Sequence, residues 1–154
     1  MPSKIIQAVR DSVFNEAQYD YLKQFCIFEG LSLMQLKQVN NLINRRDFKT
    51  GECLFEEGYP MEALYFVESG EIELVSKLGG APQKLSSGAI LGMIDAQLEG
   101  GRRSTAKALS NSVTYSISIS DLNYLIDHNP VLGIKLLRAT NKYFSQTILH
   151  CLGQ

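Results

Sequence analysis

Residues Ala63–Ser76 read Ala-Leu-Tyr-Phe-Val-Glu-Ser-Gly-Glu-Ile-Glu-Leu-Val-Ser. Two runs rich in β-branched and aromatic residues flank a Ser69-Gly70 turn, which is the pattern of a β-hairpin. The same grammar continues outward on both sides. Upstream, Cys53–Glu56 is a short run closed by the break Glu57-Gly58-Tyr59-Pro60. Downstream come a Gly79-Gly80 turn, the run Gln83–Leu85, a Ser86-Ser87-Gly88 loop, and the runs Thr105–Leu109 and Val113–Ile119. In the last run Val113, Tyr115, Ile117 and Ile119 alternate strictly, as in a strand with one buried face. Short strands punctuated at such intervals predict an antiparallel β-roll or jelly roll rather than a parallel sheet.

Helical periodicity flanks this β region. Ile5, Ile6, Val9 and Val13 recur at helical spacing, followed by Ala17, Tyr21, Leu22 and Phe25, until Gly30 breaks the pattern. Ser32 with Gln35 forms a capping-box signature ahead of Leu33, Leu36, Val39, Leu42 and Ile43. After the strands, Ser120 is placed to cap a short helix containing Leu122, Leu125 and Ile126. Asn129-Pro130 then reads as N-cap and first residue of a long helix reaching about Cys151. The expected fold class is mainly β with flanking helices (α+β), divided into a helical extension over 1–25 and a β-roll domain over 26–154.

Composition narrows the function classes. The 154 residues carry 15 Lys plus Arg against 16 Asp plus Glu, a formal charge of −1. That size fits one domain, and the even balance argues against a general nucleic-acid binder, which needs clustered basic surplus. No apolar run nears the roughly 18 residues of a membrane span, and the charged N-terminus lacks the apolar stretch of a signal peptide. Three scattered cysteines, Cys26, Cys53 and Cys151, fit reduced thiols and a cytoplasmic setting. P-loop, G-x-S-x-G, C-x-x-C and H-E-x-x-H patterns are all missing. With two histidines, His128 and His150, both in helical segments, a β-roll metal enzyme lacks its ligands. The sequence does not read as an enzyme.

The informative segment is Gly88–Ala106. Gly92 lets backbone approach a ligand, residues 93–97 can form one helical turn, and Arg103 with Ser104 can return to the same anion. Taken on composition alone, the segment reads better as a solvated loop carrying a surface arginine pair.

Around it, residues 25–150 resemble the cyclic nucleotide-binding domain of bacterial transcription regulators, kinase regulatory subunits and gated channels. The residues that carry the resemblance are Gly51-Glu52, Phe55-Glu56-Glu57-Gly58, Leu64-Tyr65-Phe66-Val67 with Gly70, then Gly88, Gly92 and Arg103-Ser104-Thr105-Ala106. The resemblance implies a phosphate-binding cassette over Gly92–Ala106, with Gly92, Met93, Ile94, Arg103, Ser104 and Thr105 as ligand-binding residues and cAMP or cGMP as the ligand. Counted from Gly92, Arg103 takes the place of the family's phosphate arginine. Met93 stands where the family usually has a glutamate that accepts a hydrogen bond from the ribose 2′-hydroxyl, a loss worth about 1.5–3 kcal/mol. This departure sets a second reading beside the first: a degenerate member that has lost the nucleotide and serves as a dimerisation or protein-interaction module. Asp95 is expected to point away from the ligand.

The long terminal helix carries a second inference. Ile134, Leu137, Asn141, Phe144, Ile148 and Cys151 step by three and four, as in a coiled-coil seam with Asn141 as a register-setting polar residue. Packing of the same stripe on the β-roll is an equal alternative. In the transcription-regulator branch the corresponding helix forms a dimer seam and its far end reaches the base, which the resemblance carries to Thr147. A homodimer or a protein partner through this helix is expected. Direct DNA binding is not expected, because the chain ends at Gln154 without a winged helix-turn-helix.

Overall fold

A computed structural model of the chain describes residues 16–98 and 100–153. The sequence-predicted helix around Ile5–Val13 lies outside the described residues. The first described elements are short: a 3-10 turn Glu16–Tyr19, helix α1 (Asp20–Lys23) and a second 3-10 turn Cys26–Phe28. Helix α2 (Leu33–Asn40) follows, and here the predicted capping box is formed in full, with Ser32 and Gln35 each bonded to the other's backbone N–H.

Among the described residues, eight strands then build two antiparallel four-stranded sheets. β1 (Asn44–Phe48), β8 (Ser112–Ser118), β3 (Ala63–Ser69) and β6 (Ile90–Leu91) form one, in that spatial order. β2 (Cys53–Phe55), β7 (Thr105–Ala108), β4 (Ile72–Val75) and β5 (Gln83–Leu85) form the other. Helices α3 (Ile119–His128) and α4 (Pro130–Cys151) complete the chain. The architecture is a β-roll with flanking helices, as the turn spacing implies.

β3 shows why the two layers hold together. A strand's side chains alternate between faces, so Leu64 and Phe66 pack into a cluster with the helices, while Val67 enters a second cluster between the sheets. The helical cluster joins Leu22, Phe25 and Phe28 to Phe66, Ile117, Leu132 and Leu136. Each such burial contributes about 1.5–3 kcal/mol. The core therefore runs without interruption across residue 25, where the sequence pattern places a domain boundary. The cluster between the sheets holds Leu54, Val67, Ile72, Leu91, Ala106 and Ala108.

Two local expectations change, and one strand forms without a local signal. Strand β1, Asn-Arg-Arg-Asp-Phe, has no hydrophobic alternation, and its ladder with β8 places it, helped by Thr114 and Ser116 hydroxyls that donate to the carbonyls of Arg46 and Asn44. Helix α3 is capped by Ser118, whose hydroxyl accepts from the Asp121 N–H at 3.0 Å, and not by Ser120. Asn129 precedes Pro130 as expected, but its side chain donates to Gln38 at 3.0 Å instead of capping α4. No helix among the described residues is long and apolar enough to cross a membrane.

Helix α4 meets the body of the protein through Leu132, Gly133 and Leu136, which are buried. Ile134, Leu137, Asn141, Ile148 and Cys151 are exposed, and Phe144 is half-buried. Most of the three-and-four stripe thus faces outward.

Candidate functional site

The cassette is set by β7. Ala106 and Ala108 face the interior and Lys107 faces out. Ahead of β7 the chain bends at residues 103 and 104. Arg102 is 4% exposed, Ser104 is half-buried and Arg103 is exposed. The backbone fixes this arrangement. The Gly58 N–H donates to the Arg102 carbonyl and the Arg102 N–H to the Tyr59 carbonyl, both at 2.8 Å. Gly101 permits that approach, since a Cβ there would lie 2.7 Å from the Tyr59 carbonyl oxygen.

The Arg102 guanidinium is enclosed on several sides. Its Cζ lies 3.8 Å from the centre of the Phe55 ring, and Nη2 donates to the Ala63 carbonyl at 2.5 Å. Among the described residues Nη1 has no hydrogen-bond partner, and the nearest carboxylate oxygen, Asp95 Oδ2, is 4.0 Å away. That is an ion-pair distance but too long for a hydrogen bond. Burial pushes the Arg102 pKa down, and Asp95 opposes this; an arginine remains charged under such a shift. Gly92, at φ +90°, sits directly against Nη1, where a side chain on residue 92 would collide.

The turn that follows Gly92 sorts the other candidates. The Ala96 N–H donates to the Gly92 carbonyl at 2.9 Å, leading into a 3-10 turn, Asp95–Gln97. Met93 is buried in the helical cluster, and Ile94 is 53% exposed. Asp95 is buried and turned toward Arg102, contrary to the expectation that it points elsewhere. Thr105 accepts from the Glu57 N–H at 3.1 Å and so ties β7 to the 56–59 turn. Thr147 is exposed on α4, its hydroxyl donating to the Tyr143 carbonyl at 2.9 Å.

Spacing from Gly92 selects Arg103, whereas the structure brings Arg102 to Gly92. No strand alternation separates them, because the chain bends at residues 103 and 104 before β7 begins. Asp95 and Phe55 become site residues only through the fold, Asp95 three residues past Gly92 along a turn and Phe55 on β2, paired with Ala106 of β7. Among the described residues, no group of His, Cys, Asp and Glu is assembled that could hold a metal ion.

The profile of the cyclic nucleotide-binding domain matches residues 45–129, just over half of the chain. The chain belongs to the cyclic nucleotide-binding domain family. Among curated proteins this domain is 25% identical over 126 residues to an uncharacterised NTE family protein of Mycobacterium tuberculosis. The match covers 82% of the chain but 22% of that protein, so the chain spans about a fifth of its relative's length. Among solved structures it superposes on the N-terminal domain of a transcriptional regulator from Streptomyces coelicolor with a TM-score of 0.70, at 24% identity, covering 86% of this chain and 95% of the other. The regulatory domain of Toxoplasma gondii PKA, crystallised with cAMP, superposes with a TM-score of 0.65 at 19% identity, covering 82% and 50%. At these identities the structures establish the shared fold of the cyclic nucleotide-binding domain.

Proposed function

We propose that the chain is a regulatory module that binds cAMP or cGMP in the 92–106 cassette, with the cyclic phosphate held by Arg102, Ser104 and the cassette backbone. One observation carries this reading: a buried guanidinium lies against Gly92 with its Nη1 donor unused. A buried charged donor without an acceptor is costly, and a phosphate oxygen is the strong acceptor that relieves it. Arg103 is exposed, and on this reading it has no part in the contact.

The signal leaves through α4. Lys135 Nζ donates to the Gly30 carbonyl at 2.9 Å and to Gln35 at 3.0 Å, and Lys142 pairs with Glu29 at 3.2 Å. Exposed ties of this kind are individually weak. Buried Leu132 and Leu136 anchor the first turns in the core, so it is the segment from Lys142 onward that can shift at small cost when ligand orders the cassette, biasing a two-state equilibrium.

Calorimetry with cAMP and cGMP tests the reading. Saturable binding is expected, abolished in Arg102→Ala and kept in Arg103→Ala; Arg102→Lys, which retains charge without the planar fork, should fall between. No heat and no thermal shift at millimolar nucleotide would overturn it.

A second reading has its own observation. Ile134, Leu137 and Ile148 are 52–59% exposed along one helix, and Met93 leaves the cassette without the family's usual glutamate. On this reading the chain is a degenerate member that pairs with a second copy through α4, the stripe forming the seam. A stable dimer in sedimentation that dissociates in Leu137→Glu, together with silence toward nucleotide, would favour it.

A further inference from the structure

We infer that Asp95 is a built-in counter-anion of the cassette arginine, competing with a bound phosphate for Arg102 Nη1 and so setting the cassette's affinity for anions. The inference rests on the reading of Arg102 as the phosphate contact.

Nη1 is the guanidinium nitrogen buried without an acceptor among the described residues. Nη2 donates to the Ala63 carbonyl, and the Phe55 ring lies beneath Cζ. A phosphate that supplies the missing acceptor comes to Nη1, and the carboxylate beside Nη1 is Asp95, 4.0 Å away with its side chain 8% exposed. Glu62 also acts on Arg102, but it is exposed and solvent screens it. Two anions cannot both lie against one buried guanidinium without mutual repulsion, so phosphate and carboxylate compete.

Asp95 also neutralises Arg102 without completing it. At 4.0 Å the pair supplies charge balance and no hydrogen bond, which is why Nη1 stays unsatisfied. The carboxylate belongs to the turn Asp95–Gln97, hinged on Gly92 through the Ala96 N–H. Moving that turn carries Asp95 away from Nη1. Exchange of carboxylate for phosphate and rearrangement of the cassette are then one event.

The test compares wild type, Asp95→Asn, Arg102→Met and the double variant. Thermal unfolding is followed against inorganic phosphate, with chloride at matched ionic strength, and cAMP binding is measured by calorimetry. In Asp95→Asn the midpoint of the phosphate response should fall by about tenfold, within the usual range for coupled sites, and the gain should vanish in the double variant. Equal phosphate responses in wild type and Asp95→Asn overturn the inference. If the gain is present while neither protein binds cAMP, the counter-anion stands and the nucleotide reading fails. If both bind cAMP equally and respond to phosphate equally, the reverse holds. Should Asp95→Asn fail to fold, the double variant decides: removing both charges should restore folding, and failure to do so overturns the pair.

Discussion

The Arg102 guanidinium carbon lies over the Phe55 ring, 3.8 Å from the ring centre. A desolvated cation on an aromatic face is worth about 0.5–2 kcal/mol. Phe55→Leu keeps an apolar residue and removes the π-face. It should cost about 1–2 kcal/mol in urea unfolding and much less in an Arg102→Met background. Equal costs in the two backgrounds would show that Phe55 acts through general packing alone.

Gly92 makes a sharper case. Its φ of +90° is reserved for glycine, and a Cβ there would meet Arg102 Nη1 and the Met61 methyl. Gly92→Ala should lose about 1–3 kcal/mol from backbone strain and should also expel the guanidinium, taking nucleotide binding with it. A crystal structure of the variant with Arg102 still in place would contradict this account.

These residues show what the sequence could and could not convey. The hairpin at Ser69-Gly70 is a local pattern and becomes β3 and β4, whereas the alternation from Val113 marks β8 as a strand but not its buried face: Ser112, Thr114, Ser116 and Ile117 are buried, and Val113 and Tyr115 are half-buried. Strand β1 was illegible for the converse reason: Asn44–Asp47 are exposed and polar, and only pairing to β8 makes them a strand. At the site, Gly92 was legible as a close approach, but the choice between adjacent arginines depends on the backbone bonds of Arg102 to Gly58 and Tyr59, which loop spacing does not reveal. Asp95 was misjudged because its direction is set by a turn three residues long, which no periodicity describes.

The start of α3 separates two neighbouring serines. Ser118 accepts from the Asp121 N–H, so Ser118→Ala should cost about 1 kcal/mol. Ser120 lies inside the helix, its hydroxyl 3.1 Å from that of Ser118. Ser120→Ala should stay within about 0.5 kcal/mol. Chemical denaturation of the two variants side by side checks the assignment, and a larger loss at Ser120 would restore it as the cap.

Alkaline pH probes the outer face of the β1-β8-β3-β6 sheet. The Tyr21 and Tyr115 rings lie 4.4 Å apart, and the Tyr115 hydroxyl donates to Glu68 at 2.9 Å. Burial first, and then the Glu68 carboxylate, push both phenols from 10.0 up to about 12. Each folded pKa is raised above its unfolded value, so the folded chain holds these protons while the unfolded chain releases them. The resulting stability is complete below about pH 10 and declines as pH rises toward 12. Absorbance titration near 295 nm should show both tyrosines ionising late, and Glu68→Gln should bring both down by removing the negative charge beside them. If Tyr21 and Tyr115 instead ionise near pH 10 in the folded wild type, the pairing with Glu68 does not hold in solution, and the alkaline loss of stability should be absent with it.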